Sequence, residues 1–257
     1  MCELLGMSAN TPTDIRFSFS GLIQRGGRTG PHSDGWGIAF YESRGCRTFH
    51  DPTPGYRSEV AKLVATHSLK SRTVICHIRK ATGTSKVCLE NTHPFTRELW
   101  GRRWAFAHNG RLKGIKRWPL GAYRPIGTTD SESAFCWLLG RVRERFPTPP
   151  ERVQALSAYL RQLCAEIATT GTFNMMLSDS RHLFCHCSTD LTRLTRRAPF
   201  GKARLIDTEL SVDFAQQTTP RDIVTIIATR ALTHDEPWQA MGRGSFTVFR
   251  AGRRMRA

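Results

Sequence analysis

Cys2 stands directly after the initiator Met1. A side chain this small at position two permits an aminopeptidase to remove the methionine, leaving one residue with both a thiol and a free α-amine. Such an amine titrates near ~7.7–8.0, so part of it is a neutral base near pH 7 and can take the thiol proton without help from a histidine. Polar motifs follow along the chain. Val74-Ile75-Cys76-His77-Ile78-Arg79-Lys80-Ala81-Thr82 reads as an apolar strand ending in an arginine. A guanidinium there is suited to a carboxylate through two parallel hydrogen bonds, and equally to a surface ion pair. Asn91-Thr92-His93-Pro94 is a turn, and Trp104-Ala105-Phe106-Ala107-His108-Asn109-Gly110 is a second strand running into an Asn-Gly turn. The Asn109 side-chain amide and the Gly110 N–H have the chemistry of an oxyanion hole; a plain hairpin turn is the other reading of that pair. In Gly127-Thr128-Thr129-Asp130-Ser131-Glu132, one of Thr129, Asp130 and Ser131 is expected to cap a helix. Asp130 is also a candidate for a substrate ammonium.

The elements that must carry these groups are legible from periodicity. Residues 131–146 place Ala134, Phe135, Leu138, Leu139 and Val142 on one face at helical spacing. Prolines at 147, 149 and 150 end that helix, and a second follows over about 151–169, with Val153, Leu156, Leu160, Leu163 and Ile167 as its stripe. Short strands are expected before the pair, at 2–5, 37–41, 74–78 and 104–107. Others are expected after it, at 173–178, 182–186, 223–227 and 245–249. Strands, then helices, then strands indicate an α+β protein with packed sheets. Four residues between two amphipathic helices fit a helical hairpin, so the expectation is one domain over 1–257.

Hydrophobic residues at 39% and charged residues at 23% describe an ordinary globular chain. No apolar run approaches a membrane span, and the first residues lack the basic start of a secretion signal, so a cytoplasmic location is expected. Eight cysteines in such a chain are read as thiols. Cys185-His186-Cys187 has one-residue spacing on an expected strand, which turns its members to opposite faces and argues against a zinc site. The net charge of +17 points to a polyanion partner or to an arginine-rich proteome. The basic residues are dispersed and no nucleic-acid-binding motif accompanies them, so specific nucleic-acid binding is not expected.

Taken in order, Cys2, Arg79-Lys80-Ala81-Thr82, Asn91-Thr92-His93-Pro94, His108-Asn109-Gly110 and Thr128-Thr129-Asp130-Ser131-Glu132 resemble the class II glutamine amidotransferases. Asp34-Gly35-Trp36-Gly37 is similar to that family's Asp-Gly-x-Gly turn, although Pro31-His32-Ser33 stands where the family carries an arginine. Residues 171–179 and 227–238 are similar to its stand-alone, YafJ-like branch. The resemblance implies a four-layer αββα sandwich of the N-terminal-nucleophile type. It implies Cys2 as nucleophile toward the γ-carboxamide of glutamine, Asn109 and Gly110 as oxyanion hole, Arg79 for the α-carboxylate and Asp130 for the α-amine. Thr82 and His108, within the same motifs, become further candidates for substrate binding. No metal or organic cofactor is needed for this chemistry. The implied partner is glutamine or a larger γ-glutamyl compound, with a separate ammonia-using synthase subunit if glutamine is the only substrate. The competing expectation is a non-catalytic, basic, anion- or nucleic-acid-binding protein on the same scaffold.

Overall fold

The computed structural model describes residues 2–81, 86–216 and 218–255. The chain forms β1 (Glu3–Asp14), α1 (Arg16–Gln24), β2 (Trp36–Glu42), β3 (Gly45–Asp51), α2 (Glu59–Thr66), β4 (Lys70–Ile78), β5 (Phe95–Leu99) and β6 (Arg102–Leu112). Then come α3 (Asp130–Arg145), α4 (Val153–Ala168), β7 (Gly171–Ser178), β8 (Leu183–Cys187), β9 (Thr192–Arg197), β10 (Lys202–Arg204) and β11 (Ser211–Asp213). The chain closes with β12 (Ile223–Ala228), β13 (Gln239–Ala240), β14 (Ser245–Arg250) and β15 (Arg253–Arg254). One antiparallel sheet has the order β13-β9-β12-β1-β4-β2-β3, and a second has β15-β14-β8-β7-β6-β5.

Side-chain alternation stacks these sheets face to face. Leu4, Ile75 and Ile227 of the first sheet meet Ala105, Ala107, Met176 and Cys185 of the second in a shared core. The opposite faces bury Leu5, Met7 and Val74 under α1 and α2, and Trp104, Phe106 and Phe173 under α3 and α4. The result is the four-layer αββα sandwich. Because both inner layers are covered on both faces, their central strands read as continuous apolar runs rather than clean alternations.

The helical stripes behave as their spacing predicts: Ala134, Phe135, Leu138, Leu139 and Val142 are all buried. Thr129 is the cap, its hydroxyl accepting from the Glu132 N–H at 3.1 Å, while Asp130 and Glu132 complement the positive end of the helix. Cys185 and Cys187 enter the intersheet core, whereas the His186 ring lies against Phe173 in the helix-facing layer. Asn109 and Gly110 differ from expectation. They lie inside β6, which continues to Leu112, and they pair in register with Asn174 and Phe173 of β7. A Cβ on Gly110 would overlap the Thr172 carbonyl oxygen, so the close approach of β7, rather than a turn, requires glycine there.

Glu3 is buried where β1 begins and gathers the Arg25 and Arg230 guanidiniums, with Arg25 also on Asp207 at 2.7 Å. Removing one side of a buried ion pair strands the other charge in low dielectric. Glu3→Ala is therefore expected to lower unfolding free energy by about 3–5 kcal/mol, as read by denaturant titration. A loss below about 1 kcal/mol would show that solvent reaches the cluster.

Candidate functional site

Cys2 sits at the entry to β1, the strand flanked by β4 and β12 in the larger sheet. Its thiol accepts from the Lys80 N–H at 3.3 Å and lies 3.4 Å from the Lys80 carbonyl oxygen. The strand end that carries Arg79 thus also holds the sulfur. Burial raises the Cys2 pKa above the ordinary thiol value, with the Lys80 N–H and the charge of Arg79 opposing and Asp130 adding to the rise. The charges of Arg79 and Asp130 thus both reach the Cys2 thiol. A thiol held protonated in this way needs a base when it attacks.

Arg79 is buried, and its guanidinium donates to the backbone carbonyls of Asp34 at 3.3 Å and Lys86 at 3.2 Å. The Asp34-Gly35 turn closes on the same strand end: Arg79 N–H donates to Gly35 O at 2.8 Å, and Ala81 N–H to the Asp34 carboxylate at 2.7 Å. Asp130 opens α3 and accepts from the N–H groups of Leu112 and Ser131, both at 2.8 Å. These two bonds tie the helix to the end of β6 and leave lone pairs on both carboxylate oxygens. Thr82 lies outside the described residues.

Asn109 has no solvent exposure, and neither its amide nitrogen nor its amide oxygen has a hydrogen-bond partner among the described residues. Its backbone carbonyl accepts from Asn174, whose own amide also holds Ser188 and Thr189. The register brings this strand close to the start of β1, which Cys2 precedes. Leu4 pairs with His77, and His77 lies beside the His108 backbone, one residue before Asn109. An unpaired buried amide costs about 1–3 kcal/mol, so its persistence calls for a use.

His108 is turned the other way. Its Nδ1 lies 2.8 Å from Ser131 Oγ and its Nε2 2.9 Å from Thr172 O, with Phe173 beside the ring. Both nitrogens are thus engaged within the protein, between β6 and α3. Burial lowers its pKa, so the ring is neutral at pH 7.

Several residues that the motifs contained were not singled out by sequence. His77 and His93 stack with centroids 4.1 Å apart, both buried and with no hydrogen-bond partner for any ring nitrogen among the described residues. Burial pushes His77 down to about 3 and holds His93 well below the usual imidazole range. Asn91 joins two motifs, donating to Lys86 O at 3.0 Å and accepting from Thr128 N–H at 2.7 Å. That bond carries the loop after Arg79 to the loop that starts α3. In place of the family arginine, His32 lies 4.0 Å from Glu3 and 3.1 Å from Arg25 O. Arg25, from the end of α1, supplies the guanidinium on Glu3.

Cys2 borders a cleft of about 600 Å³, together with Pro31, His32, Lys80, Asp190, Thr229 and Arg230. Arg79, Asp130 and Asn109 do not border it. Among the described residues no helix is long and apolar enough to cross a membrane.

The sequence profile of the class-II glutamine amidotransferases matches residues 1–257. The chain belongs to the class-II glutamine amidotransferases. Within this family it is 56% identical over 255 residues to the candidate glutamine amidotransferase YafJ of Escherichia coli (strain K12), covering 99% of this chain and 100% of that one. A Haemophilus influenzae relative with the same family designation is 45% identical, over 99% of this chain and 86% of its own length. The crystal structure of a predicted glutamine amidotransferase from Pseudomonas aeruginosa PA01 superposes with a TM-score of 0.80 at 50% identity, covering both chains completely. Glutamine phosphoribosylpyrophosphate amidotransferase from B. subtilis shares the fold at 12% identity and a TM-score of 0.64, over 99% of this chain and 48% of that one. The sandwich is thus the N-terminal-nucleophile fold of this family of amidotransferases.

Proposed function

We propose that the protein is an N-terminal-nucleophile amidohydrolase that cleaves γ-glutamyl amides, with glutamine as the simplest substrate. The observation that carries this reading is the unpaired Asn109 amide, buried beside the strand that delivers Cys2. A hydrogen-bond donor held dry and unbonded at rest is preorganised for charge that appears only during reaction. After loss of Met1, the Cys2 α-amine takes the thiol proton as sulfur bonds to the γ-carbonyl carbon. The carbonyl π pair moves to oxygen, where the Asn109 amide and the Gly110 N–H receive it. Collapse breaks the C–N bond, and the amine leaves with the proton held by the α-amine. Water then adds to the γ-glutamyl thioester, releasing glutamate and restoring the thiol.

Arg79 binds the α-carboxylate and Asp130 the α-ammonium, each pre-set by the backbone bonds described above. His108, with both nitrogens engaged, acts through Ser131 to hold the start of α3 and so positions Asp130. Thr82 follows the clamp strand and remains a candidate contact.

The cleft bordered by Cys2 supports substrates larger than glutamine, because it offers room for a leaving group next to the thiol and is not lined by the clamp residues Arg79 and Asp130. Turnover of glutamine, glutathione and γ-glutamyl dipeptides is the direct test. Self-sufficient hydrolysis of the γ-glutamyl dipeptides is expected without any added subunit. Slow hydrolysis of glutamine alone would instead mark a glutaminase subunit awaiting its synthase. Arg79→Lys keeps the charge but loses the fork, so it should raise KM for every active substrate by about 10–100-fold. An unchanged KM would remove Arg79 from the clamp.

A further inference from the structure

At the end of the sandwich away from Cys2, a groove of about 990 Å³ runs between the two sheets. Strand β4 starts there at Lys70 and ends beside Arg79, so the two regions are about 26 Å apart along eight residue steps. Six cationic side chains border the groove, Arg44, Lys70, Arg72, Arg102, Arg181 and Arg250, against one acid, Glu42. Glu42 is taken by Arg47 at 3.5 Å, outside the groove. Of the six, Arg102 donates to Ser180 Oγ at 3.1 Å, and the other five side chains have no hydrogen bond or ion pair among the described residues.

This concentration is built by the backbone. Ser43, Ser180 and Ala251 adopt left-handed φ values of 57°, 78° and 49°, an uncommon conformation for residues with a Cβ. Each adjoins one of the arginines, so three tight turns, from both sheets, set Arg44, Arg181 and Arg250 around one space. Burial and the charges of Arg181 and Arg44 lower the Arg102 pKa, opposed by Asp179. Asp179 is itself occupied, by the His182 ring and by two backbone N–H groups. Like charges gathered without counter-charge are unfavourable unless an anion completes them.

We propose that this groove is a binding site for a short linear oligophosphate. Guanidinium forks match phosphate oxygens two at a time, and several can share one phosphate chain. Among the described residues that border the groove, none presents an exposed ring for base stacking: Tyr41 is buried, with its hydroxyl donating to Ser178 O at 2.8 Å. Single-stranded nucleic acid, which needs such stacking platforms, therefore fits less well than a short phosphate chain. The inference is independent of the reaction at Cys2.

Calorimetry on the full chain at physiological salt tests it with three probes: tripolyphosphate, ATP, and an oligonucleotide of equal phosphate number. Tripolyphosphate is expected to bind with one-to-one stoichiometry. Equal affinity for ATP assigns the site to any phosphate chain, and preference for ATP assigns it to nucleotides. The double variant Arg44→Glu/Arg181→Glu should weaken tripolyphosphate binding by about 10- to 100-fold. The control Arg197→Glu/Arg243→Glu changes net charge equally, from exposed positions outside the groove, and should weaken it less than about threefold. Absence of binding, equal loss in the control, or tighter binding of the oligonucleotide each overturns the proposal. The wild-type titration decides the matter even if a variant folds poorly.

Discussion

Cys2→Ala is expected to abolish turnover of every γ-glutamyl amide, lowering kcat by at least ~10⁴-fold, because a nucleophile cannot be replaced by the groups that assist it. Alanine at position two keeps the aminopeptidase step, so the loss reports on the thiol and not on processing. Intact mass is expected to show active protein without Met1, and a glutamine-like electrophile should label Cys2 before the other seven cysteines. Five of those seven are buried whereas Cys2 is only partly so, and access therefore favours Cys2 over those five. The pH profile adds a signature. Burial raises the Cys2 thiol above its ordinary value, so the proposed mechanism relies on the α-amine as base. Below the amine pKa of ~7.7–8.0 the base is progressively charged, so the rate should fall tenfold per pH unit. A rate that stays flat down to pH 6, or an active Cys2→Ala protein, would sink the mechanism.

Asn109→Ala is expected to lower kcat by roughly 10²–10³-fold with little change in KM, the signature of a donor used only in the transition state. Stability should move in the other direction. Removing a buried amide that bonds nothing relieves a desolvation penalty of about 1–3 kcal/mol, offset in part by the small cavity left behind. The melting temperature is therefore expected to stay level or rise. A structural asparagine would behave oppositely, losing stability first and activity only in proportion. Kinetics and thermal melts on one preparation distinguish the two.

How far the sequence carried the fold depended on how each element is held. Helices α3 and α4 and the eight expected strands announce themselves because each has its own apolar pattern and a Pro, Gly or Asn nearby. Helix α1 does not. Its residues Arg-Phe-Ser-Phe-Ser-Gly-Leu-Ile-Gln have modest helix propensity, no side-chain cap and no acid in the first turn, so packing of Phe19, Leu22 and Ile23 must create it. Strand β3 and the short strands β9 to β11 are polar edge or peripheral pieces, invisible to an alternation test. The sequence reading stops β1 at residue 5, because the polar Ser8-Ala9-Asn10-Thr11 hides the nine further residues that carry the strand to Asp14.

The candidate site divides in the same way. Cys2, Arg79, Asp130 and the Asn109-Gly110 pair were legible because their chemistry is carried by residue type. The turn reading of Asn109-Gly110 failed because glycine is needed for the approach of β7, and local sequence does not contain that neighbour. Arg25, which shares Glu3 with Arg230, follows a helix that periodicity does not disclose. Nothing in the sequence singles out His77 and His93, whose ring nitrogens have no hydrogen-bond partner among the described residues only once the chain is packed.

The strand order bears on timing in the cell. Strand β1 is completed on one side by β12, with Leu5 opposite Ala228. Nothing can cover that side of the amino terminus until more than two hundred further residues have left the ribosome. At about 5–20 residues per second that interval is roughly 10–45 s, during which the initiator methionine stays open to the aminopeptidase. The long-range pairing that makes β1 a late element of assembly thus leaves an interval in which Met1 can be processed before the sheet closes around Cys2.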